Sequence, residues 1–165
     1  MQSKIGTYLY YAQSIDYTIW TSLNDISSQQ SQPAQENMKK RNWLMEYAVT
    51  HPNSYIRFHT SVMILMLDTY AAYLVITKQR SHIAGYYHLW NKYNTKPHPE
   101  VNGSILIKCE TLKHVVEYAA KAETRGIFHN DQMDILIWAI PEGMNHTQPP
   151  TPIKTDNSTA TCILY

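Results

Sequence analysis

Charge is scarce in this chain. Asp, Glu, Lys and Arg make up 16% of its 165 residues, and the formal net charge is +1. That excludes the broad basic field by which many proteins gather nucleic acid or anionic lipid, so a nucleic-acid role must rest on local geometry. Cysteine is nearly absent. Cys109 and Cys162 make neither a disulfide framework nor a zinc site, and they read as apolar thiols in a reducing compartment. The eight histidines form no H-x-x-x-H pair on a helix, which removes that zinc signature. No stretch reaches membrane length, and no signal-peptide core follows Met1, so an intracellular protein, cytoplasmic or nuclear, is expected. Asn102-Gly-Ser, Asn145-His-Thr and Asn157-Ser-Thr then read as chance matches to the glycosylation pattern.

What is present is apolar and aromatic. Hydrophobic residues make up 44% of the chain, enough for a real core, and thirteen tyrosines suggest amphipathic surfaces. Residues 7–50 contain no glycine and read as helices. Asp16 is a candidate N-cap, Ile19, Leu23 and Ile26 recur at helical spacing, and Pro33 breaks the pattern. A third helix is expected from Ala34 to Thr50, with Met38, Met45, Ala48 and Val49 inward and Lys39-Lys40-Arg41 on a solvated face.

The stretch around which the remainder is organised is Val62 to Leu67, six apolar residues suited to a strand buried on both faces. Asp68, Thr69 and Tyr70 follow as polar groups at the strand's end, where chemistry is often presented; Asp68 also reads as a simple solvated cap. A short strand, Tyr55–His59, is expected before it. A polar turn from Lys78 to Gly85, a strand from Tyr86 to Trp90 and a strand from Ser104 to Cys109 are expected after it, forming an antiparallel meander. From Thr111 the apolar positions Leu112, Val115, Val116, Ala119, Ala120 and Ile127 predict a helix, with Glu123 on the same stripe. A carboxylate there is costly unless it is paired, protonated or bound to a cation, or unless the helix frays at Gly126. A second helix is predicted over 131–140, stopped by Pro141 and Gly143. Then come a short strand, Ile153–Thr155, and a helix capped by Asn157 or Ser158.

Several blocks of words carry a resemblance. Gly6-Thr-Tyr-Leu-Tyr-Tyr-Ala12, Leu23-Asn-Asp-Ile26, Tyr47-Ala-Val-Thr-His-Pro52, Ile56-Arg-Phe-His59, Ala71-Ala-Tyr-Leu74, Ala119-Ala-Lys-Ala-Glu123 and Pro150-Thr-Pro-Ile-Lys-Thr-Asp-Asn-Ser-Thr-Ala160 occur in that order. The sequence resembles the C-terminal part of copia-type retrotransposon polyproteins, where a helical connection joins reverse transcriptase to ribonuclease H. The resemblance implies an α/β, ribonuclease H-like mixed sheet over residues 55–165, cut short at the C-terminus, after a helical connection over 1–54. The implied activity is Mg²⁺-dependent hydrolysis of the RNA strand of RNA–DNA hybrids. The implied partners are such hybrids and the remainder of the polyprotein, with no membrane.

In that family, carboxylates converge on two Mg²⁺ ions about 4 Å apart. Glu123 and Asp156 match two of them as metal ligands. The first-strand acid stands immediately before Ala-x-Tyr-Leu, and here Tyr70 occupies that place. A phenol is neutral near pH 7 and a poor ligand for Mg²⁺. Asp68 is the candidate substitute, two residues back on the same strand face and about 6–7 Å away. Lys78, Arg80 and Asn157 are the candidate nucleic-acid contacts. An impaired ribonuclease H is thus the leading expectation. A non-catalytic interaction module for nucleic acid or protein, or a relic, is the alternative.

Overall fold

A computed structural model describes residues 2–29, 35–76, 80–90 and 101–164, and the chain divides into two compact units, Met1–Ile56 and Arg57–Tyr165.

The first unit is helical: α1 (Gln2–Ser14), a 3-10 turn (Tyr17–Ile19), α2 (Trp20–Ser28) and α3 (Gln35–Thr50). Asp16 caps the turn, accepting from the Thr18 backbone N–H at 3.1 Å, which satisfies a donor that the helix start leaves open. Ile5, Ala12, Ile19, Leu23, Ile26 and Leu44 form its core. The third helix is turned relative to the sequence expectation: it buries Asn37 and Leu44, while Met38 and Val49 are exposed. Lys40, expected on the solvated face, pairs with Asp25 of α2 at 2.8 Å.

The second unit is an α/β arrangement. Strands β1 (Ile64–Ile76), β2 (Arg80–Trp90), β3 (Ser104–Thr111) and β4 (Ile153–Lys154) form one mixed sheet in the order β3-β2-β1-β4. The β1-β2-β3 part is an antiparallel meander, and β4 runs parallel to β1. Helices α4 (Ala119–Gly143) and α5 (Ser158–Leu164) complete the unit.

Four expectations are corrected. Residues 55–59 form no strand. The central strand starts only after Met63, whose φ of 58° interrupts extended backbone, and it runs past Asp68 to Ile76 because β2 pairs with it as far as Arg80. It is also not buried on both faces: Leu65, Leu67 and Thr69 are buried, whereas Tyr70 on the alternate face is 52% exposed. The turn expected over 78–85 is largely strand.

The fourth correction concerns the helix. It begins at Ala119, not at Thr111, because β3 extends to Thr111 and Leu112 N–H continues the ladder to the Ser81 carbonyl at 2.8 Å. Leu112 and Val116 are buried from a loop, in one cluster with Ile83 and Ala122, so their spacing imitates a helical stripe. From Ala119 a single helix replaces the two predicted. Gly126 does not fray it. A Cβ there would stand 3.2 Å from Ile83 Cγ2, so the glycine lets helix and sheet approach closely.

Candidate functional site

The inward stripe of α4 carries Glu123, Gly126, Ile127, Asn130, Asp134 and Ile137, all buried. Asn130 fixes its height over the sheet. Its Nδ2 donates to Thr69 Oγ1 of β1 at 2.8 Å and to the Ala84 carbonyl of β2 at 2.9 Å. Gly85 makes room for this: a Cβ there would lie 2.8 Å from Asn130 Cγ.

Anchored in this way, α4 brings Glu123 against β1 one residue beyond Tyr70. Glu123 Oε1 accepts from the Ala71 backbone N–H at 2.9 Å, while Oε2 is buried with no hydrogen-bond partner. Burial pushes its carboxyl above the usual range, and the nearby Asp156 charge pushes in the same direction; Ala71 N–H and the Thr155 hydroxyl moderate the rise. The Thr155 hydroxyl is near enough to act on the carboxyl without a well-formed hydrogen bond to Oε2.

Asp156 follows β4 and is exposed. Leu67 pairs with Ile153 and Asp68 with Lys154, so Asp156 comes two residues past the last paired position of β4. Glu123 and Asp156 are near enough for their charges to interact, beside the β1 backbone at Ala71, while the Tyr70 side chain alternates to the other face of β1.

The other predicted residues lie elsewhere or are otherwise engaged. Asp68 is tied to β2, its Oδ2 lying 3.2 Å from Nε2 of the buried His88. Asn157 caps α5, its Oδ1 accepting from Ala160 N–H at 3.0 Å. Arg80 opposes Ile76 at the far end of the β1–β2 hairpin, away from the acids. Lys78 lies outside the described residues.

A cavity of about 800 Å³ runs beside the acids between α4, the segment after it and α5, lined by Lys121, Arg125, Phe128, Pro152, Ile153 and Thr155. Sequence reasoning did not reach this groove, nor His88, Asn130 or Asp134. For the last two the signal was present, since they continue the Glu123 stripe at intervals of seven and four.

Paired Mg²⁺ ions demand several hard oxygen donors in a small volume. Here one oxygen of Glu123 is spent on the backbone, Asp156 offers a second carboxylate, and the Tyr70 phenol stands on the opposite face of β1. Among the described residues no three His, Cys, Asp or Glu side chains gather as a metal site. This donor set does not fit a two-metal centre. No helix among the described residues is long and apolar enough to cross a membrane.

No protein-family model, curated protein or solved structure matches this chain. Fold and site define an α/β protein with a mixed four-stranded sheet and a two-acid cluster beside its central strand.

Proposed function

We propose that residues 57–165 are a ribonuclease H-like domain of a retrotransposon polyprotein, descended from a Mg²⁺-dependent hydrolase of the RNA strand in RNA–DNA hybrids and impaired by Tyr70. One observation carries this reading. An acid on the inward face of α4 bonds the β1 backbone at Ala71, next to residue 70, and an acid just after the parallel strand β4 stands near enough to repel it. Glu123 bears the cost of burial with one oxygen unpartnered and a second acid close by, an arrangement that a bound cation would relieve. With a phenol in the third place, Glu123 and Asp156 hold no catalytic metal pair.

The test restores the missing acid. In the full chain Tyr70→Asp should gain stabilisation by millimolar Mg²⁺ or Mn²⁺ of about 1 kcal/mol, read as a Tm rise of about 2–4 °C, while the wild type should not. Adding Glu123→Gln should remove the gain. RNA-strand cleavage by the Tyr70→Asp chain would extend the result. A folded Tyr70→Asp chain indifferent to both cations would overturn the proposal. Cleavage by the wild type, abolished by Glu123→Gln, would instead put Asp68 to use.

The groove of about 800 Å³ favours a second reading, a non-catalytic interaction module. If Lys121 and Arg125 hold phosphates there, hybrid binding will fall steeply with salt; an apolar protein contact will not.

A further inference from the structure

The face of the sheet opposite α4 carries a second constellation, independent of the ribonuclease reading. Cys109 of β3 and Ala84 of β2 are cross-strand partners, and Ala84 is also the partner of Tyr70 on β1. Tyr70, Ala84 and Cys109 thus form one row across three strands, about 4.8 Å per strand. In the adjacent row His82 lies between Ala72 and Thr111. His82 Nδ1 is 3.6 Å from Cys109 Sγ, and neither residue is fully buried. Two small residues, Ala72 and Ala84, and the half-exposed Tyr70 share this face with the sulfur.

We propose that Cys109 is a nucleophilic thiol served by His82, and that it takes low-molecular-weight disulfides such as oxidised glutathione into a mixed disulfide. The Cys109 S–H proton passes to His82 Nδ1, and the thiolate sulfur attacks one sulfur of the reagent. A new S–S bond forms as the reagent's own S–S bond breaks. The departing thiolate carries away the electron pair and takes a proton from the imidazolium or from water. An imidazolium beside the sulfur raises the thiolate fraction near neutral pH, the quantity on which exchange depends. Among the described residues the other titratable side chains on this face are Asp68, Tyr70, Arg80, Tyr86, His88 and, beside Asp68 on β4, Lys154. Asp68 is held by His88, and Arg80, two residues before His82, favours a thiolate too.

Cys162 on α5 is exposed and provides an internal reference. The full chain is treated with oxidised glutathione, or with 5,5′-dithiobis(2-nitrobenzoate) for speed, and each cysteine is followed by mass spectrometry. At pH 7 Cys109 should react about fivefold or more faster than Cys162, although it is less exposed. Its pH–rate profile should reach half-maximum below the usual thiol value of about 8.5. His82→Gln should bring Cys109 to the rate of Cys162 or slower and return the midpoint to the usual value. Equal rates in the wild type, or an unchanged profile in His82→Gln, would overturn the proposal. Should that variant fail to fold, a wild-type midpoint at or above about 8.5 would overturn it alone.

Discussion

Asp68 and Glu123 approach β1 from opposite faces, and the contrast between them explains most of the site. Asp68 has an ordinary structural partner: His88 holds one oxygen at 3.2 Å, and the buried imidazole needs the carboxylate as much as the reverse. Glu123 has a backbone N–H on one oxygen and the Asp156 charge nearby; in each acid the second oxygen, Asp68 Oδ1 or Glu123 Oε2, is buried without a hydrogen-bond partner. The two therefore differ in their neighbour: Asp68 has an imidazole that can pair with its charge, whereas Glu123 has a second carboxylate that repels it.

The comparison holds only while α4 sits where Asn130 puts it, and Gly85→Ala is the severest way to break it. The new Cβ would meet Asn130 Cγ and Oδ1 at 2.8 Å, inside any real contact distance, and Asn130 is buried with both its amide bonds spent on the sheet. Overpacking and lost hydrogen bonds together should cost about 2–4 kcal/mol. Urea denaturation of the variant measures it. A loss below about 0.5 kcal/mol would mean that helix and sheet can part here freely.

How far this was legible in sequence follows from the same residues. Glu123 could be placed inward because its stripe is local, and Asp156 could be placed after a strand because prolines and the Asp-Asn pair mark that boundary. The helix start was misread because Leu112 and Val116 are buried from a loop at helical spacing, while Val115, which the stripe also claimed, is 62% exposed. Gly126 looked like a fraying point because spacing does not reveal that Ile83 presses against it. The Asp68–His88 pair was beyond reach, since it joins residues twenty positions apart through a strand register that sequence does not state. Tyr70 was legible as an anomaly only through the resemblance.

Two substitutions of intermediate effect sharpen the contrast. Asp68→Ala removes the partner of His88 Nε2, in a histidine 3% exposed whose Nδ1 has no partner either, and it should cost about 1–3 kcal/mol. Glu123→Gln keeps an acceptor for Ala71 N–H while removing the buried charge and its repulsion by Asp156. It should be neutral or stabilising by up to about 1 kcal/mol at pH 7. Chemical denaturation of both variants alongside wild type decides the matter. Glu123→Gln losing as much as Asp68→Ala would make the two acids alike, and the reading of Glu123 as a former ligand would lose its support.

The smallest effect concerns pH, and its sign reports the burial of Glu123. Burial, then the Asp156 charge, raises Glu123 above its ordinary value of 4.5. Between that value and the raised one the folded chain binds more protons than the unfolded chain, so stability falls as pH rises through this window. Asp134 acts with the same sign, its carboxyl raised first by burial and further by Asp131, from an ordinary value of 3.8. Glu110 acts with the opposite sign. Burial works against its charge, but hydrogen bonds from His129 and Lys108 outweigh that and hold it below 4.5. Its contribution is therefore lost only as pH falls below that value, outside the Glu123 window. Urea midpoints between pH 4.5 and about 7 should decline in the wild type and decline less in Glu123→Gln, with Asp134 supplying what slope remains. Equal slopes in the two proteins would show that Glu123 ionises in the folded chain at no cost, and the distinction between a repelled acid and a paired one would fall with it.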